Sequence, residues 1–497
     1  MRHNFLGKSP EWYKLVMLGC LIVNPIVFFA AGGFIAGWLL IAEFIFTLMM
    51  ALRCYPMQPG GLLVLEAVAI GMAGDHAHAA EAIYREVREN LPVILLLIFM
   101  VPAVYFNKEI LLFTFRKLIV HVRNKVALAL LFCFAGAFLS AWLDALTVIA
   151  VIIAIAIGFY EVYHRFASGA GEHHDHDHKS DDAIMEHHRE DLVEFRGFLQ
   201  NIAMHGAVGT ALGGAMTLVG EPQNLIIGSV MGWDFGEFFF HMIPVTLPVF
   251  LVGLATAALV EITGTFGYGY KLPERVWEVM HEADRRATEG RSSRDTARLW
   301  VQFLGVILII LGLGFHIAEV GLVGLGVLVL VTSLNGVTEE HQIGKSFEAS
   351  MPFTGVLVVF FVLVAIIHEQ HLFTPLITSV LALGGSEQLA FMYLANAILS
   401  CVSDNVFVAL TYITETKRIF DAGGIDSAQY EKLAIAINMG TNIPSIATPN
   451  GQAAFLFLLT SPLAAAIRLG YARMCWLALP YTITMTTAGL LAMIYLL

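Results

Sequence analysis

Long apolar runs, broken by short polar stretches, recur from one end of this chain to the other. A helix needs about 20 predominantly apolar residues to cross about 30 Å of hydrocarbon. On that measure the pattern predicts through-spans at 14–32, 36–52, 60–74, 91–115, 198–232, 241–262, 299–316, 319–334, 352–375, 433–466 and 474–497. Two further runs, 126–160 and 386–414, carry Ser, Asp and Thr at their middle. Two short helices meeting at a polar tip fit each of these better than one helix with a buried charge, since irregular backbone at membrane depth needs protein or a cavity around it. The expected fold is an all-α polytopic membrane protein with about 11 through-spans and two re-entrant hairpins.

The basic residues orient it. With both hairpins re-entrant, 22 of the 28 Lys and Arg fall on the side of the N-terminus and five on the other, with Lys108 inside a span. That bias places the N-terminus in the cytoplasm and the C-terminus outside. A second apolar run follows the first almost at once, so no signal peptide is expected. Composition agrees, with 58% apolar residues, 14% charged and a mean hydropathy of +0.74. Soluble domains carry roughly a quarter charged residues. Five cysteines among 497 residues exclude a disulfide scaffold. The formal charge of −12 argues against nucleic acid. Seven of those negative charges come from residues 172–195, whose EHHDHDHKSDD stretch lacks apolar periodicity and reads as a solvated cytoplasmic loop. Its HHDHDH tract has metal-ligand types but no fixed frame, so solvation is the preferred reading.

An internal repeat changes the picture more. At an offset of 260, LSAWLDALTV (139–148) lies over LSCVSDNVFV (399–408), pairing Asp144 with Asp404 and Ser140 with Ser400. Beyond it the offset is 231, and GTALGGAMTLVGEPQN (209–224) lies over GTNIPSIATPNGQAAF (440–455). The 29 residues between the offsets are about the length of the acidic loop, which the second half lacks. RKLIVHVRNK (116–125) holds four bases and its counterpart LITSVLALGG (376–385) none, so equivalent loops face opposite sides and the repeats are inverted. The organisation expected is N-terminal spans 1–59, repeat 1 at 60–262 with its His-rich loop at 166–197, a cytoplasmic linker 263–298, and repeat 2 at 299–497. Inverted repeats with broken helices belong to secondary transporters, with the site near the midplane.

Asp144 and Asp404 lead the candidate chemistry. A carboxylate inside the bilayer costs at least about 2.5 kcal/mol and is rare without a function. It holds a proton or a hard cation, not easily both, which is the simplest basis for antiport. Each Asp also suits the N-cap of a half-helix, and the two roles coexist. The Gly- and Pro-interrupted segments cannot run as continuous helices, so they free carbonyl oxygens for a cation such as Na⁺. The ion- and proton-binding set expected is Asp144, Asp404, Ser140, Ser403, Asn405, Thr210, Thr217, Asn224, Thr441, Asn442, Thr448 and Asn450. Glu43, Glu66, His205, Lys108, Glu109 and Glu319 also lie in or near spans and are read as structural or interfacial. His368 and His371 are three apart, not the four a helical metalloprotease pair requires. No enzymatic activity and no cofactor beyond transported Na⁺ and H⁺ are expected.

HNFLGKSPEWYKL, FLSAWLDALTV, GTALGGAMTLVGEPQNLII, SDNVFV and TPNGQAAFLFLLTSPL together resemble the NhaB-type Na⁺/H⁺ antiporters of the ion-transporter superfamily, from near the N-terminus to the last span. The resemblance implies a bacterial inner-membrane antiporter that expels Na⁺, with Li⁺ as a further candidate, for a larger number of protons. It also implies a homodimer whose transport domains move as elevators. The superfamily's Ser-Asn-Thr tips are matched only partly by Ser403-Asp404-Asn405 and less by Leu143-Asp144-Ala145. That exchange of neutral ligands for carboxylates favours cation–proton exchange over the alternative, a Na⁺-coupled dicarboxylate or anion symporter.

Overall fold

The computed structural model describes residues 4–51, 53–169, 180–348 and 350–497. The HHDHDH tract lies outside the described residues. Helices dominate, and there is no strand among the described residues. Among the described residues six helices are long and apolar enough to cross a membrane: Glu11–Ala31, Ala145–Ala167, Phe235–Thr263, Ser293–Gly314, Met351–Glu369 and Tyr471–Tyr495. His76–Glu89 and Leu91–Tyr105, bent by 56°, make a seventh when the pair is taken as one broken span. Several other runs expected to span are divided. The stretch 91–105 contains a π-helical turn at Leu96–Met100, and the runs 198–232 and 433–466 are broken where their glycines and prolines fall.

Eight helices build the central body, numbered α1 to α8. In the first half these are α1 (Lys125–Ser140), α2 (Ala145–Ala167), α3 (Arg189–Gly214) and α4 (Pro222–Met231). In the second they are α5 (Gly385–Ser400), α6 (Asn405–Asp421), α7 (Ser427–Asn442) and α8 (Ala453–Thr460). The first residues of α5 and α6 follow those of α1 and α2 by 260, and that of α8 follows that of α4 by 231. Packing repeats in the same way. α1 lies on α3 and α5 on α7, while α4 crosses to α6 and α8 crosses to α2.

Close backbone approach holds the first of these pairs. A Cβ added at Gly136 would meet Gly206 O at 2.8 Å, and one at Gly213 would fall on the Ala137 carbonyl. The second half repeats a third such contact, since a Cβ at Gly209 would fall on the Cys133 carbonyl and one at its counterpart Gly440 would lie 2.6 Å from Tyr393 O. Small residues of this kind let membrane helices gain van der Waals contact without an apolar driving force. α2 is longer than a half-span requires, and at about 1.5 Å per residue its 23 residues are long enough to cross a bilayer.

The acidic loop is less solvated than its composition suggests. From residue 180 onward it packs, with Ile184 and His188 buried, and α3 already begins at Arg189. Asp181 accepts from both terminal nitrogens of Arg196 (2.8 and 2.6 Å) and from Arg468 Nη2 (2.5 Å). The Arg196 guanidinium holds the Asp181 carboxyl down at about 2. A folded-state value below the unfolded one gives stability that is present above about pH 4 and lost as pH falls towards 2. Asp181→Asn is therefore expected to cost about 1–2 kcal/mol at neutral pH, discounted for partial exposure, with the difference narrowing below pH 4. Unfolding temperatures of the two proteins in detergent across that range check it.

Candidate ion-binding site

Each hairpin turns in four residues between helices, and an aspartate closes the turn. Asp144 caps α2, accepting from Thr147 N at 3.0 Å and Thr147 Oγ1 at 3.3 Å. Asp404 caps α6, accepting from Val406 N at 2.9 Å and Phe407 N at 3.4 Å. Both carboxylates thus face the positive ends of helix dipoles, which favour negative charge there. Neither has an ion-pair partner among the described residues. Asp144 is 4% exposed, while Asp404 is partly open to a cavity.

That cavity, of about 300 Å³, is lined by Tyr55, Asp404 and Asn450. A second, of about 350 Å³, is lined by Asp144, Thr147 and Lys108. Leu146, Phe353 and Phe457 form walls of both, so the two aspartates look onto neighbouring spaces divided by apolar side chains. Among the described residues Lys108 is the one base on these walls. Its Nζ sits 4.0 Å from the centre of the Tyr105 ring.

The broken helices hold the tips in matching ways. Thr217 Oγ1 donates to Ala141 O and Thr448 Oγ1 to Cys401 O, each at 2.5 Å. Donor and acceptor in the second bond follow those in the first by 231 and 260 residues. Between the halves runs a buried amide network. Gln223 Nε2 donates to Asn442 Oδ1, and Asn442 Nδ2 to Asn224 Oδ1, both at 2.9 Å. Asn224 Nδ2 in turn donates to Gly214 O and Thr217 O, at 2.5 and 2.7 Å. Asn438 Nδ2 reaches Ala215 O at 3.3 Å.

These bonds sort the expected ligands. Thr210 and Thr441 turn their hydroxyls onto carbonyls of their own helices. Thr217, Thr448, Asn224 and Asn442 are engaged in tying tips and breaks together, although a hydroxyl or carbonyl oxygen that accepts one bond retains a second lone pair. Ser140 Oγ donates to Thr210 O at 2.9 Å. Asn450 stands apart, its amide 3.5 Å from Met49 O. Ser403 Oγ and Asn405 Oδ1 are buried without a partner, and Asn405 Nδ2 donates to Ser445 Oγ at 3.2 Å.

Three side chains outside the expected set belong beside them. Ser400 Oγ, Glu221 Oε1 and both terminal atoms of Gln452 are buried without partners. Glu221 lies within electrostatic reach of Asp144 and Asp404. At the offset of 231 Glu221 pairs with Gln452, so two polar residues standing at one place in the repeat were the signal for them. Away from the tips, Glu43 and Glu66 share Asn24 Nδ2 (2.8 and 3.4 Å), and His205 bridges Glu261 and Tyr481 (2.9 and 2.7 Å).

The family model of the bacterial Na⁺/H⁺ antiporter B (NhaB) matches residues 1–497. The chain belongs to this family. Curated NhaB relatives resemble it over almost their whole length. The Na⁺/H⁺ antiporter NhaB of Marinobacter nauticus is 57% identical over 489 residues, 98% of this chain and 97% of its own. That of Serratia proteamaculans is 57% identical over 491 residues, 98% and 92% of the two chains. That of Pasteurella multocida is 57% identical over 494 residues, 99% and 95%. Among solved structures, Neisseria gonorrhoeae MtrF, described as an antimetabolite efflux pump, covers 84% of each chain at a TM-score of 0.50 and 13% identity. That likeness concerns the fold alone. An NhaB-family chain with these apolar helices is a multi-pass membrane protein of bacterial type.

Proposed function

We propose that this protein exchanges cytoplasmic Na⁺, with Li⁺ as a second substrate, for external protons at a site made by the two hairpin tips. The observation that carries this reading is the pair of helix-capping carboxylates, Asp144 and Asp404. Each lacks a counter-ion among the described residues, each lines a cavity, and each stands at the same place in its half. In the Na⁺-free state the aspartates hold protons. An arriving Na⁺ gains charge-assisted contact only with ionised carboxylates, so binding it requires the protons to leave. More than one proton released per Na⁺ makes the exchange electrogenic. Ser403 Oγ and Asn405 Oδ1 supply neutral oxygens with unspent lone pairs. The names of the curated relatives support the same pair of ions.

Alternating access on this reading is an elevator stroke. Tips and breaks are cross-linked by Thr217, Thr448 and the Gln223–Asn442–Asn224 amides, which favours their moving as one body. The equivalent helix starts and equivalent bonds support two repeats. Their inversion, the eleven crossings, the cytoplasmic N-terminus and the inner-membrane location rest on the charge bias of the loops and the family resemblance. The homodimer rests on the resemblance.

Purified protein in proteoliposomes with an imposed pH gradient tests the exchange. Na⁺ is expected to dissipate the gradient with no organic anion present. Dissipation that appears only when a dicarboxylate is added would instead make the protein a symporter.

A further inference from the structure

The second hairpin is fastened where the first is open. His368 Nε2 lies 2.8 Å from Thr414 Oγ1 in α6, and His368 Nδ1 lies 3.2 Å from Glu86 Oε1 in the helix His76–Glu89. The one proton of the Thr414 hydroxyl is spent on Leu410 O at 2.6 Å, so the imidazole donates to that hydroxyl. A turn further along α6, Arg418 donates to His371 Nδ1 at 2.9 Å and to the Thr374 hydroxyl, which in turn donates to Glu415 Oε2 at 3.2 Å. Glu415 is fully buried and pairs with Arg418 at 3.2 Å. His368, His371 and Thr374 all lie outside α6, on the helices Met351–Glu369 and Thr374–Leu381 and the turn between them.

At the offset of 260, Thr414, Glu415 and Arg418 become Ala154, Ile155 and Gly158, and His371 becomes Leu111. None of these can make the bonds of the second half. A cavity of about 580 Å³ stands there instead, between α2 and the helix Lys108–His121, with Ala154, Ile155 and Gly158 on its wall. A Cβ at Gly158 would meet nothing within 4 Å. The cavity shares Leu112 and Ala154 with the one that holds Asp144, so a route to that tip leads through it. Its far end reaches Asp284, Arg291 and Asp295, in a strongly charged stretch of the chain. One contact between a hairpin and its neighbours is bolted, and its counterpart is open. Alternating access through inverted halves requires that of any one state.

We propose that His368, Thr374 and Arg418 form the latch that shuts one of the two access routes, and that the latch parts in every exchange cycle. This rests on the reading above of inverted halves and moving hairpins. The two places then face opposite sides of the membrane, and the bonds close the route beside the second hairpin while the cavity opens the one to Asp144. For the stroke to occur, α6 slides past the helices Met351–Glu369 and Thr374–Leu381. Each carboxylate keeps a partner on its own body, Glu415 with Arg418 on α6 and Glu86 with His368 off it. Only the bonds to Thr414, Thr374 and His371 have to part, so opening strands no buried charge. Water replaces them, which makes the opening reversible.

The test uses full-length protein in proteoliposomes. Thr414→Cys sets a thiol opposite His368 Nε2, and Cd²⁺, which takes thiolate and imidazole together, bridges the two and pins the latch. In this variant Cd²⁺ is expected to slow Na⁺/H⁺ exchange and radiolabelled Na⁺/Na⁺ counterflow by at least about tenfold, and to leave equilibrium Na⁺ binding within about twofold. EDTA reverses the block, and the wild type is unaffected. Alkylation of the introduced thiol, read by mass spectrometry of its peptide, reports whether Cd²⁺ is bound there. A thiol that Cd²⁺ protects while counterflow continues overturns the proposal, and so does a thiol left unprotected. Equal slowing of the wild type, or loss of Na⁺ binding, places the Cd²⁺ effect elsewhere and overturns it as well. If Asp144→Asn and Asp404→Asn keep exchange while Cd²⁺ still blocks Thr414→Cys, the aspartate reading fails and the latch stands. Should Thr414→Cys not be recovered folded, Arg418→Gln decides. Loosening the latch favours the opposite state, so labelling of Gly158→Cys by a membrane-impermeant thiol reagent is expected to fall by at least about threefold. Unchanged labelling overturns the proposal.

Discussion

Asp144→Asn and Asp404→Asn are each expected to abolish Na⁺-dependent proton movement in everted membrane vesicles while leaving the protein folded. The choice of asparagine matters. Asn caps a helix about as well as Asp, so Thr147 N and the Val406 and Phe407 amides keep an acceptor. Only the charge and the exchangeable proton are lost. A charged ligand in a dry site contributes up to about 3 kcal/mol, so its removal weakens cation binding by about 100-fold. Proton release is lost with it, because an amide has none to give. Alanine at either position would remove the cap as well and confound the two effects. Near-normal exchange in both Asn variants would move the site away from the tips. Loss in only one would make the halves unequal, with the surviving aspartate serving as a cap alone.

The second large effect concerns the glycines on which the hairpins ride. Gly213→Ala would place a methyl group on the Ala137 carbonyl, and Gly440→Ala would place one 2.6 Å from Tyr393 O. Both obstacles are backbone atoms, which cannot swing aside as a long side chain can. Either substitution must push α3 off α1 or α7 off α5. Overpacking of this kind costs about 1–3 kcal/mol, and more where backbone has to shift. Both variants are expected to lower the unfolding temperature in detergent and the yield of folded protein. Gly158→Ala in α2 is the control, since a Cβ there meets nothing within 4 Å. Replacing a mid-helix glycine by alanine gains about 0.5–1 kcal/mol of helix propensity, so that variant should be neutral or slightly more stable. A control as damaged as the other two would mean that crowding at the carbonyls is not the cause.

Much of the central body was legible before any coordinates. Hydropathy located the apolar helices, and prolines and glycines marked where 198–232 and 433–466 break. The offsets of 260 and 231 anticipated which helices would share starting points. Legibility failed where one residue's role depends on a distant partner. Asp181 reads as one acid among nine between 172 and 195, yet Arg196 and Arg468 pin it. The length of α2 was likewise hidden, because the helix continues beyond residue 160 through Glu161, His164 and Arg165, where the apolar run that marked the hairpin has ended.

The sequence by itself determined the membrane class, the breaks and the two tip aspartates. Those properties arise from local physics. An apolar run pays its way into lipid residue by residue, a proline disrupts the helix at its own turn, and a carboxylate in an apolar run is costly wherever the chain goes. Only the tertiary structure decided which oxygens remain unspent. Ser140 is bonded to Thr210 while its counterpart Ser400 has no partner. Thr217 and Thr448 fasten the tips, and Glu221 stands beside the aspartates with no donor at Oε1. A hydrogen bond forms between groups far apart along the chain and only at close range. The supply of polar atoms is therefore written in the sequence, and their allocation is settled by packing.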